Sequence, residues 1–239
     1  MALHTTSGRW QLGFFLAATS TLLWGSLPIA LSIMLKSIDP YTLTWYRLLG
    51  AGLILGVFLG ANGTLPKLWS RPKSKLVMLL IGSIGLCGNY IFYLLGLNHI
   101  TPSSAQVVIQ VAPLLLLLGG LILFKERFSK VQSLGVLIFC VGFALFFHPD
   151  LKDILSGIGS KPKGVFWILC AATSWSVYAL LQKQLLTDFT SPQIMFLIYV
   201  IIGLVLLPLT QPLAAIDLTP SQLGILLFCV LNSLIAYGS

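Results

Sequence analysis

The sequence predicts an all-α fold, a polytopic transmembrane helix bundle built from two inverted five-helix repeats, with about eight spans present in this chain. Three observations predict it. Of 239 residues, 57% are hydrophobic and 8% charged, against about 25% charged in an ordinary soluble domain, and the mean hydropathy is +0.96. No single water-facing core could hide that much apolar surface. Second, eight apolar stretches long enough to cross about 30 Å of hydrocarbon fall at 11–35, 41–61, 76–97, 103–124, 131–147, 164–186, 192–209 and 221–239. Third, the chain repeats itself at an offset of 151 residues. Gly13-Phe14-Phe15 through Trp24 is echoed by Gly164-Val165-Phe166 through Trp175, and Gly52-Leu53-Ile54-Leu55 by Gly203-Leu204-Val205-Leu206.

Each stretch carries its own signals. The first follows one base, Arg9, is too long for a signal-peptide core and lacks a small-x-small cleavage site, so it stays as span one. Asp39-Pro40 opens span two, where Gly52, Gly56 and Gly60 recur every four residues on one face. Asn62-Gly63-Thr64 matches a glycosylation sequon but reads as the turn that ends that span. In span three Gly82, Gly85 and Gly88 recur every three residues, and stripes of this kind let helices approach closely. Thr101-Pro102 opens span four, in which Pro113 removes a backbone hydrogen bond and should bend or loosen the helix. Span five ends at His148-Pro149, Lys161-Pro162 precedes span six, and Ser191-Pro192 and Thr219-Pro220 open spans seven and eight.

Residues 1–147 therefore form a first five-helix repeat, 148–163 a link, and 164–239 a second repeat with about three of its five helices. Five spans separate the copies, and an odd number sends the second through the bilayer upside down, as in transporters. From 13 to 55 the ungapped copies share seven identities, and the order of an aromatic first helix, a Pro-bearing link and a small-residue second helix adds positional support. At the same offset the second copy would end near residue 298, so a complete version is expected to have ten spans.

The net charge of +8 sits in short links and reads as topology rather than nucleic-acid binding. With alternating links, one side collects Arg9, then Lys67, Arg71, Lys73 and Lys75, then Lys125, Arg127 and Lys130, and Lys183; the other has Lys36, Lys152, Lys161 and Lys163. The richer side should be cytoplasmic, which puts the N-terminus inside. Cys87, Cys140, Cys170 and Cys229 lie in apolar runs without C-x-x-C spacing and read as small buried hydrophobes.

Functional candidates are polar or aromatic groups at membrane depth. Trp24 and Trp175 occupy equivalent positions inside their spans, where an indole either packs between helices or lines a polar cavity. Asn89, Tyr90, Tyr93, Gln106, Gln110, Tyr178, Tyr199, Asn232 and Tyr237 join them; taken singly, each reads as interhelical glue. Arg47 is the clearest intramembrane charge. It either binds an anionic group or snorkels to the outer surface from the first turns of span two, the snorkelling reading weighing somewhat more. Every carboxylate (Asp39, Glu126, Asp150, Asp153, Asp188, Asp217) falls at a span end or link, which points to a neutral or zwitterionic substrate or to an acid in spans beyond this chain. Glu126 reads as a local pair at a helix end, with a gate contact as the alternative. No hydrolase, metalloprotease or phosphate-loop motif occurs, and His4, His99 and His148 are isolated, so no catalytic residue, metal or cofactor is expected.

These pieces resemble the drug/metabolite transporter superfamily, specifically its EamA-type branch. The resemblance rests on Trp24-Gly25, Tyr46-Arg47-Leu48, Leu94-Leu95-Gly96-Leu97, Thr101-Pro102-Ser103-Ser104-Ala105, Ala112-Pro113-Leu114 and Glu126-Arg127-Phe128-Ser129. It departs at Lys125, where a glycine is common. The resemblance implies ten helices with both termini in the cytoplasm, exporting amino acids, related metabolites or drugs across a bacterial inner membrane, without fixing the cargo. The expected function is a secondary transporter working by alternating access, with a substrate cavity lined by Trp24, Asn89, Tyr90, Gln106, Gln110, Trp175, Tyr178 and Tyr237. A non-transporting scaffold and a passive channel are the alternatives. The expected partners are a small-molecule substrate and the lipid bilayer, not nucleic acid, and a homodimer is an allowed assembly.

Overall fold

The computed structural model describes residues 10–124, 129–148 and 159–238, and all regular structure among them is helical. The helices are α1 (Trp10–Met34), α2 (Pro40–Ala61), α3 (Lys73–Leu97), α4 (Pro102–Val108), α5 (Val111–Phe124), α6 (Lys130–Phe147), α7 (Ser160–Leu185), α8 (Ser191–Leu206) and α9 (Pro220–Gly238). Six of the predicted spans are long and apolar enough to cross a membrane, and the remaining two correspond to shorter apolar helices, Ala18–Met34 and Pro220–Ile235. The protein is a polytopic helical bundle. Lys125 to Phe128, with Glu126 among them, lie outside the described residues.

Caps fix the helix ends where the sequence places them. Asp39 Oδ1 accepts from the Tyr41 and Thr42 amides at 2.9 and 3.0 Å, and Pro40 follows at the first helical position, where its missing N–H costs nothing. Ser129 with Gln132 and Thr190 with Gln193 form reciprocal capping boxes. The end of α2 is a Schellman turn: Gly63, at φ +63°, lets Thr64 N reach Leu59 O and Gly63 N reach Gly60 O. That is the turn predicted at the sequon.

The fourth span is broken within a turn of Pro113, where the sequence predicts a bent or loosened helix. It is interrupted between α4 and α5 at Ile109 and Gln110. Pro113 cannot donate to Ile109 O, so the Ala112 amide does so at 2.9 Å and the local winding tightens.

Side-chain bonds tie the bundle together at both ends. At one end Lys75 Nζ reaches Asp188 Oδ2 at 2.8 Å and Arg71 Nη1 reaches Asp188 Oδ1 at 3.4 Å, while Gln193 Nε2 donates to Thr64 O. At the other, Gln222 Nε2 donates to Ser37 Oγ, Gln211 N to Thr42 Oγ1, and Tyr46 OH to Pro212 O. The hydrogen bonds from Lys75 and Thr187 hold the Asp188 carboxyl below the usual carboxylate range.

Helix packing follows the small residues unevenly. α3 lies close against α7: a methyl on Gly85 would sit 3.0 Å from the Ser174 carbonyl, and one on Gly88 3.1 Å from Ser174 Oγ. On α2, Gly52 and Gly56 face Tyr199 and Phe196 of α8, but Gly60 has nothing within 4 Å and is not part of that seam. α3 packs on α7 as α9 packs on α1, and α2 on α8. The 151-residue offset also relates helix boundaries: α1 ends at Met34 and α7 at Leu185, while α2 begins at Pro40 and α8 at Ser191.

A candidate substrate cavity

Between α1, α2, α3, the broken α4–α5 span and α7 lies a cavity that is partly open to the outside. Its wall takes Trp24, Leu27, Pro28 and Leu31 from α1, Arg47 from α2, Asn89, Tyr90 and Tyr93 from α3, and Trp175 from α7. The interrupted span supplies Gln106, Ile109, Gln110, Ala112 and Pro113. Six of the eight residues expected from sequence are therefore brought together here. The two tryptophans, 151 residues apart, line the same space.

Tyr178 does not line this cavity. It is 1% exposed, packs in the core with Leu86, Tyr90 and Met195, and its hydroxyl points at the Met195 sulfur, 3.7 Å away. Three residues along α7 set Tyr178 about 60° around the helix from Trp175, and there it packs against Met195 of α8. The Tyr237 side chain lies outside the described residues.

The polar wall residues bond carbonyls of neighbouring helices. Pro28 lies within α1 and has no N–H for the carbonyl of Trp24, four residues earlier. Gln106 Nε2 donates to that carbonyl at 2.9 Å, while Gln106 Oε1 accepts from Tyr93 OH at 3.2 Å. One amide thus joins α1, α3 and α4. Asn89 Nδ2 donates to Ala171 O of α7 at 3.0 Å, and Ser176 Oγ bonds Ala112 O at 3.0 Å, tying α7 to α5. The indole N–H of Trp175 is buried and has no partner among the described residues. Gln110 is exposed.

Arg47 is the residue the sequence reading underweighted. It does not snorkel. Seven residues into α2, about 10 Å along the axis, it turns inward and is 2% exposed. Its Nε and Nη2 donate to Ser233 Oγ of α9 at 3.2 and 3.1 Å, and its guanidinium carbon lies 4.7 Å from the Tyr90 ring centroid, a cation–π contact. Arg47 lies on the buried row of α2. Leu43, Arg47, Ala51, Leu55 and Leu59 recur every four residues and all are buried, whereas Leu53, Ile54, Val57 and Phe58 are exposed.

The EamA-like transporter family model matches residues 11–148 and 162–239, two stretches whose starts lie 151 residues apart. This chain belongs to the EamA-like transporter family. It is 35% identical over 229 residues to an uncharacterised inner membrane transporter, YhbE, of Escherichia coli (strain K12), covering 95% of this chain and 71% of that protein. An uncharacterised transporter of Haemophilus influenzae (strain Rd) is 35% identical over 228 residues, covering 95% and 74%. At greater distance, a probable amino-acid metabolite efflux pump of Salmonella typhimurium (strain LT2) is 23% identical over 239 residues, covering 94% and 75%. A solved crystal structure shares the fold, with a TM-score of 0.65 at 21% identity, covering 94% of this chain and 76% of the other. The protein is an integral membrane transporter of this family, and the names its relatives carry are those of transporters rather than enzymes.

Proposed function

We propose that this EamA-like transporter is a secondary exporter of small metabolites, amino acids among them, and that it works by alternating access of two inverted five-helix repeats around the cavity just described. The observation that carries the reading is the shared wall. Equivalent residues of the two copies, Trp24 and Trp175, line one space inside the bundle, where substrate sites of inverted-repeat transporters form. Pro28 within α1 and the break between α4 and α5 border that space, and irregular backbone at membrane depth is tolerated where it lines a cavity.

The equivalences at 151 residues in helix ends and family matches support the repeat. The division proposed is 1–147 and 164–239 around a link at 148–163. Lys67, Arg71, Lys73 and Lys75 cluster in and after the α2–α3 link; by the positive-inside rule that side is cytoplasmic, with the N-terminus inside and the protein in a bacterial inner membrane. The name of the Salmonella relative favours amino-acid cargo.

The test is flux. Purified protein in liposomes loaded with a panel of amino acids, monocarboxylates, neutral metabolites and cationic drugs should show saturable movement of at least one class above protein-free liposomes. Equal leak of every compound through both preparations contradicts transport, and non-saturable leak with no competition between compounds points to a channel instead.

A further inference from the structure

We infer that Arg47 is the anion-binding residue of this cavity, taking the carboxylate of the transported molecule, so that the site selects organic acids and amino acids over cations. The inference rests on the transport reading above and adds the substrate's chemical class to it.

A guanidinium 2% exposed at membrane depth is costly unless paired, and no carboxylate pairs with it among the described residues. Asp39 caps α2. Asp188 is held by Lys75 and Arg71 at one end of the bundle, and Asp217 sits in the turn Ala214–Asp217 that precedes α9. The hydrogen-bonded partner Arg47 does have is neutral. Ser233 Oγ accepts two of its N–H groups and passes its own proton to Cys229 O at 2.9 Å, so that hydroxyl is fully used. Ser233 accounts for two of the five N–H donors of an arginine fork.

The geometry distinguishes this from glue. A residue serving only to join α2 to α9 needs the edge that Ser233 already occupies. Arg47 also lines the cavity, so its remaining donors belong to the space a ligand would fill. A planar fork matches a carboxylate in a way that a point charge does not. In the same wall the buried Trp175 indole N–H is a second donor, without a hydrogen-bond partner among the described residues. The other walls offer Trp24, Leu27, Leu31 and Ile109, an apolar surface for the body of such a molecule. With a fixed cation and no acid among the described residues of the wall, the site disfavours a cationic ligand.

The experiment measures flux and competition in liposomes with matched probes: L-leucine, 4-methylpentanoate, L-leucinamide and 3-methylbutylamine, together with their phenylalanine-derived counterparts. Wild-type protein should prefer the acids to the amide and amine by roughly 10-fold or more, the effect expected of a charge-assisted bond in a buried site. Arg47→Gln should abolish that preference, whatever it does to the overall rate, and Arg47→Lys should retain part of it. Replacing chloride by methanesulfonate, which has no carboxylate, should leave the preference unchanged; its appearance only on chloride removal would mean that a resident inorganic ion is what Arg47 holds, and would overturn the assignment. Equal movement of acid, amide and amine by wild type would overturn it too, with transport still standing. If nothing in the panel moves, the transport reading fails and takes this inference with it. Should Arg47→Gln not fold, the wild-type comparison of acid with amide decides alone.

Discussion

Replacing Gly85 by alanine places a methyl group between α3 and α7, where the sequence's small-residue stripe meets its partner. That carbon would lie 3.0 Å from the Ser174 carbonyl oxygen, 3.4 Å from Tyr178 N and 3.5 Å from Tyr178 Cβ. Two of the three are close enough to backbone that no rotamer change relieves them, so the helices must part by a few tenths of an ångström. Overpacking of this kind costs about 1–3 kcal/mol. Alanine recovers about 1 kcal/mol of helix propensity over glycine, leaving a net loss of about 1 kcal/mol. For a chain of this size that is a fall of roughly 2–4 °C in melting temperature. Gly60→Ala is the internal control: with nothing within 4 Å of its added carbon, it keeps the propensity gain and should melt at the same temperature or slightly higher. Thermal unfolding in one detergent, followed by circular dichroism, makes the comparison. If Gly85→Ala is stabilised as much as Gly60→Ala, the close α3–α7 seam is not as described.

Ser233→Ala removes the acceptor of two Arg47 donors and should destabilise by about 1.5–3 kcal/mol, the range for bonds to charged groups, read by the same melt. Gly63→Ala puts a side chain at φ +63° and should cost about 1 kcal/mol through the left-handed conformation, although the added carbon meets nothing. Asp188→Asn breaks the contacts to Lys75 and Arg71 and should lower the melting temperature modestly. The wild-type carboxyl is depressed, so its contribution is present above the ordinary carboxylate pKa of about 3.9 and is lost only as pH falls through the lower folded value. Wild type should therefore hold its advantage over Asp188→Asn at pH 5 and lose it only in stronger acid.

Helix ends were legible because they are written in local chemistry. Asp39-Pro40 and Thr101-Pro102 cap helices in the structure as their residue types require, the helix predicted to open at Ser191-Pro192 is capped one residue earlier by Thr190, and Pro113 marks the break in the fourth span to within a turn. The facing of each helix was less legible. In a bilayer the lipid side and the packed side are both apolar, so no polar stripe shows which way a residue points. Arg47 could be placed in depth but not in azimuth, and Tyr178, on the helix that carries Trp175, was assigned to the cavity when it faces Met195. Gln106 was seen as polar at membrane depth. Its bond to the Trp24 carbonyl depends on Pro28, a residue in another span, and nothing local to Gln106 announces that.

The central claim is a water-reachable cavity between the two halves that opens to each side of the membrane in turn. With Cys87, Cys140, Cys170 and Cys229 replaced by serine or alanine, single cysteines at Asn89 and Gln110 would be treated with a membrane-impermeant thiol reagent from either face of sealed vesicles, with Leu53 and Val57, exposed on the outside of α2, as lipid-facing controls. The account predicts that the cavity positions react, that adding substrate shifts which face they react from, and that the controls stay unlabelled. Cavity positions as inert as the controls from both faces would contradict it.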